Sequence, residues 1–360
     1  MTSNWRWLKY LVALVIPLHT IYGFYAGGWF LLFPLFLSFL LIPLLELLIP
    51  PDSSNMNALQ LELEERNPMY DGLLYLLLPL QIFNLFLFLN QVGDSEVSNF
   101  DRIVMISCMG LNCGIIGINV GHELGHRTNT FEVILAKTFL LSSLYMHFYI
   151  EHNRGHHKRV GTRIDPASAR YGENLYFFLM RSIVQSFFSA WMLESKRLKK
   201  VKKSSLSFSN QMMHFSFIQL LLLLAIYFFF GKMVLLYFMM AALLGISLLE
   251  SVNYIEHYGL GRKKMEDGTF AKVKHCHSWN SNHVLGRLAL FELSRHSDHH
   301  DKASKKYQLL NHHDASPQMP TGYPGMIILA LIPPLWFKVM HPIIENEIKR
   351  LPTLVKARYS

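Results

Sequence analysis

Four strings in the 360-residue chain concentrate histidine, and their spacing is that of metal ligands. In His122-Glu123-Leu124-Gly125-His126 the two imidazoles stand at i and i+4, on one face of a helix, as a shared ion requires. Glu151-His152-Asn153-Arg154-Gly155-His156-His157 offers three at i, i+4 and i+5, and Arg295-His296-Ser297-Asp298-His299-His300 offers three at i, i+3 and i+4. His257 follows alone in Asn253-Tyr254-Ile255-Glu256-His257-Tyr258-Gly259. Read by itself, the first string satisfies H-E-x-x-H, the zinc pair of a metalloprotease with Glu123 as general base. The count argues for something larger. A catalytic zinc takes three protein ligands and a water, whereas nine candidate imidazoles exceed the capacity of one ion, so two metals are expected. Imidazole suits zinc, copper, iron and nickel, so ligand type alone does not name the ion. The chain holds 18 histidines but three cysteines, with no Cys-x-x-Cys pair, which reads as a protein of a reduced compartment that spends histidine on chemistry.

These strings closely resemble the signatures of a known family. HELGH, EHNRGHH, NYIEHYGL and RHSDHH are similar to those of the membrane-bound alkane monooxygenases, the AlkB-type alkane 1-hydroxylases. The resemblance takes in the DPASAR segment at 165–170, the HSWNSN segment at 277–282 and PQMPTGY at 317–323, in order, and covers roughly residues 117–325. It implies a non-haem di-iron site that uses O2 and two electrons, delivered by rubredoxin and rubredoxin reductase, to convert medium-chain n-alkanes into 1-alkanols. By motif match it implies nine iron ligands: His122, His126, His152, His156, His157, His257, His296, His299 and His300. Gly161-Thr162-Arg163-Ile164 and Asn311-His312-His313 depart from the family's commoner wording, which touches loop structure and substrate choice. Related readings are a di-iron hydroxylase of another substrate, such as a xylene-type ring methyl or a fatty acyl chain, and, more remotely, a membrane zinc metalloprotease or a non-catalytic metal-binding protein.

The chemistry agrees with iron, because cleaving an unactivated methyl C–H bond needs a redox metal and zinc has no redox chemistry. A ligating histidine commonly gives its other ring N–H to a carboxylate or carbonyl. Glu123, Glu151, Glu256 and Asp298 each adjoin a proposed ligand, but neighbours on a helix point about 100° apart, so each could instead face solvent or a basic side chain. His275 and Cys276 read as structural or solvent-facing, and His277 and His283 as scaffold of the HSWNSN segment. His19, His147, His214 and His341 are isolated, and His312 and His313 stay open. Cys108 and Cys113 sit inside a span as small packing residues.

The elements that carry these residues belong to a membrane. Hydrophobic residues make up 51% of the chain and charged ones 16%, against about a quarter in ordinary soluble proteins. Mean hydropathy is +0.22. At roughly 20 apolar residues per crossing, the runs at about 7–24, 29–49, 73–89, 103–120, 214–230 and 233–252 give six spans. The first lacks a small-x-small cleavage pattern and reads as an anchor. The expected fold is an all-α integral membrane bundle with a cytoplasmic, histidine-rich helical cap. Spans one to four fill 1–121, a histidine-box and basic-loop region 122–213, spans five and six 214–253, and a second histidine-box region 254–360. The apolar run 325–340 is broken by Pro333-Pro334 and should lie on or in the protein.

Charge sets the orientation. Lys and Arg crowd 154–203 and are absent from the 90–100 connection, so the large loop, the tail and both termini belong on the cytoplasmic side of a bacterial inner membrane. The net charge of +9 follows from that bias and from anionic headgroups, and calls for no nucleic acid. The basic run 196–203 reads as a solvated helix end, or else as a docking patch for an acidic electron carrier.

Overall fold

Leucine, isoleucine and phenylalanine in runs long enough to span a bilayer set the scaffold. In the computed structural model, which describes residues 5–351 and 353–357, five helices are long and apolar enough to cross a membrane. They are Arg6–Ala26, Gly28–Leu48, Met69–Gln91, Asn99–Gly125 and Gln211–His257. The last has 47 residues and is two helices joined at Gly231, where φ is +86° and only a residue without Cβ sits at ease. Its first arm begins with Met212 and Phe215 against Tyr145 and Phe148. That arm reaches Val92 and Val104 with Ile226, and the second arm starts there with Val234. The arms therefore fold back on one another as a hairpin, so the five candidate spans contain six apolar helical segments, matching in position the six runs read from the sequence.

The fourth span and the returning arm lie side by side and run the same way. Gly110 and Gly114 meet Ala241, Leu244, Gly245 and Leu248 in register. A Cβ on Gly245 would stand 2.5 Å from Cys113 Cβ and 2.9 Å from the Gly110 carbonyl oxygen, so the helices touch backbone to backbone. Both helices also run further than the apolar runs suggested. The fourth continues through residue 121 to Gly125, and the sixth ends at His257, so His122 and His257 ride on the final turns of spans.

The polar remainder caps this end. Leu175–Lys200 turns Phe178, Ser182, Ser186 and Ala190 inward and leaves Met180 75% and Phe188 60% exposed, the profile of a helix lying at the bilayer surface. The 325–340 run folds into the cap, split between Tyr323–Ala330 and Pro333–Arg350, with Met326, Trp336 and Met340 buried against Tyr254 and Tyr258. A short antiparallel ribbon pairs Leu260–Arg262 with Leu354–Lys356. Cap and spans are pinned together: Tyr10 donates to Glu292 at 2.7 Å, the Gly286 N–H donates to Glu46 at 2.7 Å, and Lys306 pairs with Asp71 at 2.5 Å.

Two glycines should respond oppositely to a side chain. Gly245→Leu should cost at least about 1–3 kcal/mol by overpacking, read as a lower thermal midpoint in detergent. Gly72→Ala, with nothing within 4 Å of the new Cβ, should leave the midpoint unchanged or raise it, by up to about 1 kcal/mol.

Candidate metal centre

Four elements meet at the capped end of the bundle. The last turn of the fourth span carries His122, and His126 caps it. Phe148–Glu151 runs into a π-helical turn at His152–His156 and then His157–Arg159. The wider turn of a π segment brings i and i+5 together, and the Nε2 atoms of His152 and His157 lie 2.9 Å apart. His257 ends the sixth span, and the short helix His296–Asp301 carries the remaining three. That helix is too short to hold itself, and Asn280 brackets it, donating to Ser297 Oγ at 2.7 Å and accepting the Ser297 N–H at 2.9 Å. Trp279 of the same segment donates from its ring to the Tyr258 carbonyl, and its backbone N–H to that of Glu256.

The nine imidazoles fall into two groups, one of five (His122, His126, His152, His157, His299) and one of four (His156, His257, His296, His300), with ligand atoms within 4.8 Å of one another in each. Nε2 atoms face each other throughout. In the first group the pairs 122–299, 126–152 and 157–299 stand 3.0, 3.1 and 3.1 Å apart, and in the second 257–296 and 296–300 stand 3.1 and 2.9 Å apart. The groups adjoin, with the His157 and His300 ring centroids 4.4 Å apart. Burial holds His152, His157, His296, His299 and His300 well below the ordinary imidazole range, and neighbouring imidazoles push the same way. The rings are therefore neutral, the form that binds a metal. His156 is the exception: burial lowers it, but the charge and hydrogen bond of Asp165 outweigh burial and raise it.

Asp165 is the carboxylate the sequence reading passed over. Its Oδ2 is 2.9 Å from His156 Nδ1, which leaves His156 Nε2 buried and without a hydrogen-bond partner among the described residues. The only signal for it was its place in the DPASAR segment. Of the four carboxylates read from sequence, Glu256 stands beside a clustered ring, with Oε1 3.2 Å from His296 Nδ1 and accepting from Tyr323 at 2.6 Å. The other three have different partners. Glu123 binds Arg127 at 2.7 Å and the Tyr307 N–H, Glu151 binds Arg159 at 2.5 Å, and Asp298 binds Lys305, His313 and the Asn311 N–H. His275, expected to be structural or solvent-facing, stacks on His313 in a separate group with Asp298.

A small apolar cavity of about 50 Å³ lies between the spans, walled by Ile16, Phe39, Leu111, Ile115, Leu248 and Leu249 among others. Asn119 and Leu293 belong both to it and to a smaller space, about 10 Å³, that reaches His122 and His299. On the opposite, wet side, a depression lined by Lys158, Arg159, Arg262 and Lys272 includes His157 in its wall.

Residues 102–330 match the fatty acid desaturase family. The alkane 1-monooxygenase of Pseudomonas putida is 39% identical over 321 residues, which cover 89% of this chain and 80% of that protein. Alkane 1-monooxygenase 1 of Alcanivorax borkumensis is 37% identical over 334 residues, 91% and 82% of the two chains. The XylM hydroxylase component of the xylene/toluene monooxygenase of P. putida is more distant, 26% identical over 339 residues, 92% and 87% of the two chains. Identity at this level over nearly the whole length, on a scaffold of apolar helices that brings two histidine groups together, means that the chain belongs to the alkane 1-monooxygenase family and is a membrane oxidoreductase.

Proposed function

We propose that the protein hydroxylates the terminal methyl group of medium-chain n-alkanes to give 1-alkanols, at two irons held by the nine imidazoles, with electrons from rubredoxin and its reductase. The carrying observation is the juxtaposition of the five- and four-histidine groups with an apolar pocket that shares walls with the space beside His122 and His299.

The donor set fits iron better than zinc. With metal–nitrogen bonds of about 2.1 Å, a tetrahedral zinc needs neighbouring nitrogens about 3.4 Å apart. The nearest nitrogen pairs, 2.9–3.1 Å apart, stand closer than that. The orphaned Nε2 of His156 also calls for a cation. When bound, the iron pair supplies the oxidising power that splits O2, one oxygen atom entering the alkanol and the other leaving as water with two electrons and two protons. Asp165 fixes the Nδ1–H tautomer of His156, so that Nε2 presents its lone pair. Leu111, Ile115 and Asn119 recur every four residues along the fourth span, a stripe about 12 Å long that leads to His122. An unbranched alkane has no polar group to recognise, so the shape of this bore selects it, and a narrow bore presents its end. Phe291, Leu293 and Leu310 shield the space beside His122 and His299 from water.

Electron delivery fits the basic depression at His157, where opposite charge would steer a small acidic carrier to the edge of the five-histidine group. Lys and Arg distribution puts this face, both termini and the 196–203 run in the cytoplasm of a bacterial cell.

Three measurements test this reading. Reporters fused at residue 200 and at the C-terminus should act as cytoplasmic tags, and a periplasmic signal at either would reverse the orientation. Protein made with ample iron should carry about two irons per chain and little zinc. His122→Ala or His257→Ala should abolish activity and lower iron, Asp165→Asn should cost about 10–100-fold in activity or metal affinity, and His19→Ala should do neither. One zinc per chain would instead favour the protease. With rubredoxin, its reductase and O2, n-octane should give 1-octanol, and Leu111→Phe should shorten the longest accepted alkane without moving the oxidised carbon. Predominant 2-alkanol, or turnover of p-xylene or a fatty acid but no alkane, would overturn the substrate assignment.

A further inference from the structure

A second arrangement of ligating side chains lies outside the nine imidazoles. His275 and His313 stack face to face, centroids 3.7 Å apart and planes 15° from parallel. Asp298 places Oδ1 2.8 Å from His313 Nε2, and Asp301, one turn along the same short helix, places Oδ2 3.9 Å from His275 Nε2. Ligand atoms of His275, Asp298 and His313 all lie within 4.8 Å of one another.

We propose that His275, His313, Asp298 and Asp301 hold a single divalent ion of the zinc class, separate from the nine-histidine centre. Three observations carry this. His275 Nε2 is buried and has no hydrogen-bond partner among the described residues, so its lone pair or proton is unaccounted for in a space that its neighbours have filled with acceptors. The two rings stack in parallel at 3.7 Å, an arrangement that two charged imidazoliums would oppose, and each offers a ring nitrogen within 4.8 Å of the other and of Asp298. Asp298 is also prepared as a one-oxygen ligand: Oδ2 is held by Lys305 at 2.5 Å and by the Asn311 N–H at 2.7 Å, which leaves Oδ1 to turn to the ion. Such outer hydrogen bonds are the usual support of a ligating carboxylate.

The donor set names the ion class. Two imidazoles with two carboxylates suit zinc and its transition-metal neighbours, whereas calcium and magnesium take oxygen. The two carboxylates offset the ion's double charge. Three separate segments would be joined: the 275–277 turn, the helix His296–Asp301 and the 311–313 loop. Because that helix also carries His296, His299 and His300, the ion acts as a clasp on the main centre without entering it. The proposal does not depend on the substrate or on which metal fills the nine-histidine groups.

The test uses purified, full-length, iron-loaded protein in detergent, titrated with zinc chloride while iron and zinc are both counted. The parent should take up one further zinc with no loss of iron, and its unfolding midpoint should rise with zinc concentration, as binding to the folded state requires. His275→Ala with His313→Ala should retain the iron, lose the extra zinc and lose the zinc-dependent rise. If that pair folds poorly, His275→Gln alone should lose the extra zinc, and cobalt bound to the parent should show the absorption of a tetrahedral site. Absence of zinc uptake, uptake unchanged in the double variant, or uptake matched by an equal loss of iron would each overturn the proposal.

Discussion

Imidazole rings crowded together in a buried space are the constraint from which the rest of this structure follows. A neutral imidazole has one N–H and one acceptor nitrogen, and eight of the nine meet through Nε2 at about 3 Å, while the Nε2 of His156 is buried with no partner among the described residues. Such an arrangement suits a metal centre, and it requires that the backbone segments carrying the rings be held from outside. The holding is visible at each of the four segments: Asn280 on the helix of His296, Asp165 on His156, the Arg127 and Tyr307 contacts of Glu123 beside His122, and Trp279 on the end of the sixth span.

This explains why carboxylates next to ligands mostly look away from them. Glu123, Glu151 and Asp298 bind arginine, lysine or backbone N–H groups, and in doing so they fasten the turn on which their neighbouring histidine stands. Their contribution to the centre is positional. Glu256 differs because it sits between His296 and Tyr323, joining the ring to the 323–330 helix.

Much of this was legible in residues alone, and the boundary of legibility has a physical meaning. Long unbroken apolar runs marked the helices able to cross a membrane, while the run at 325–340, shorter and broken by Pro333-Pro334, folds into the cap. Spacings of four and five declared which histidines share a face, because local geometry is fixed by the helix. What spacing could not declare was the partition into five and four, since the π-helical turn sends His152 and His157 to one group and His156 to the other. Asp165 and the pairing of His275 with His313 were hidden for the same reason: each contact closes across a loop, and nothing in the intervening residues marks its ends. Adjacency left open whether Asp298 faces a ring or a basic neighbour, and spacing could not decide it because its partners, Lys305 and Asn311, lie beyond its own helix.

The glycine seam between the fourth span and the returning arm has a consequence for how the protein sits in lipids of different composition. Spans of 21–23 residues are about 32–35 Å long, close to the hydrocarbon thickness of a bilayer. A helix that finds its bilayer too thin answers by tilting. If the two helices tilted independently, His122 and His257 would slide past each other and pull the paired histidine groups apart. Gly110, Gly114 and Gly245 leave no clearance for that, so the two helices lean as one body. A change of membrane thickness would then alter the lean of both helices together while the spacing between His122 and His257 stays fixed.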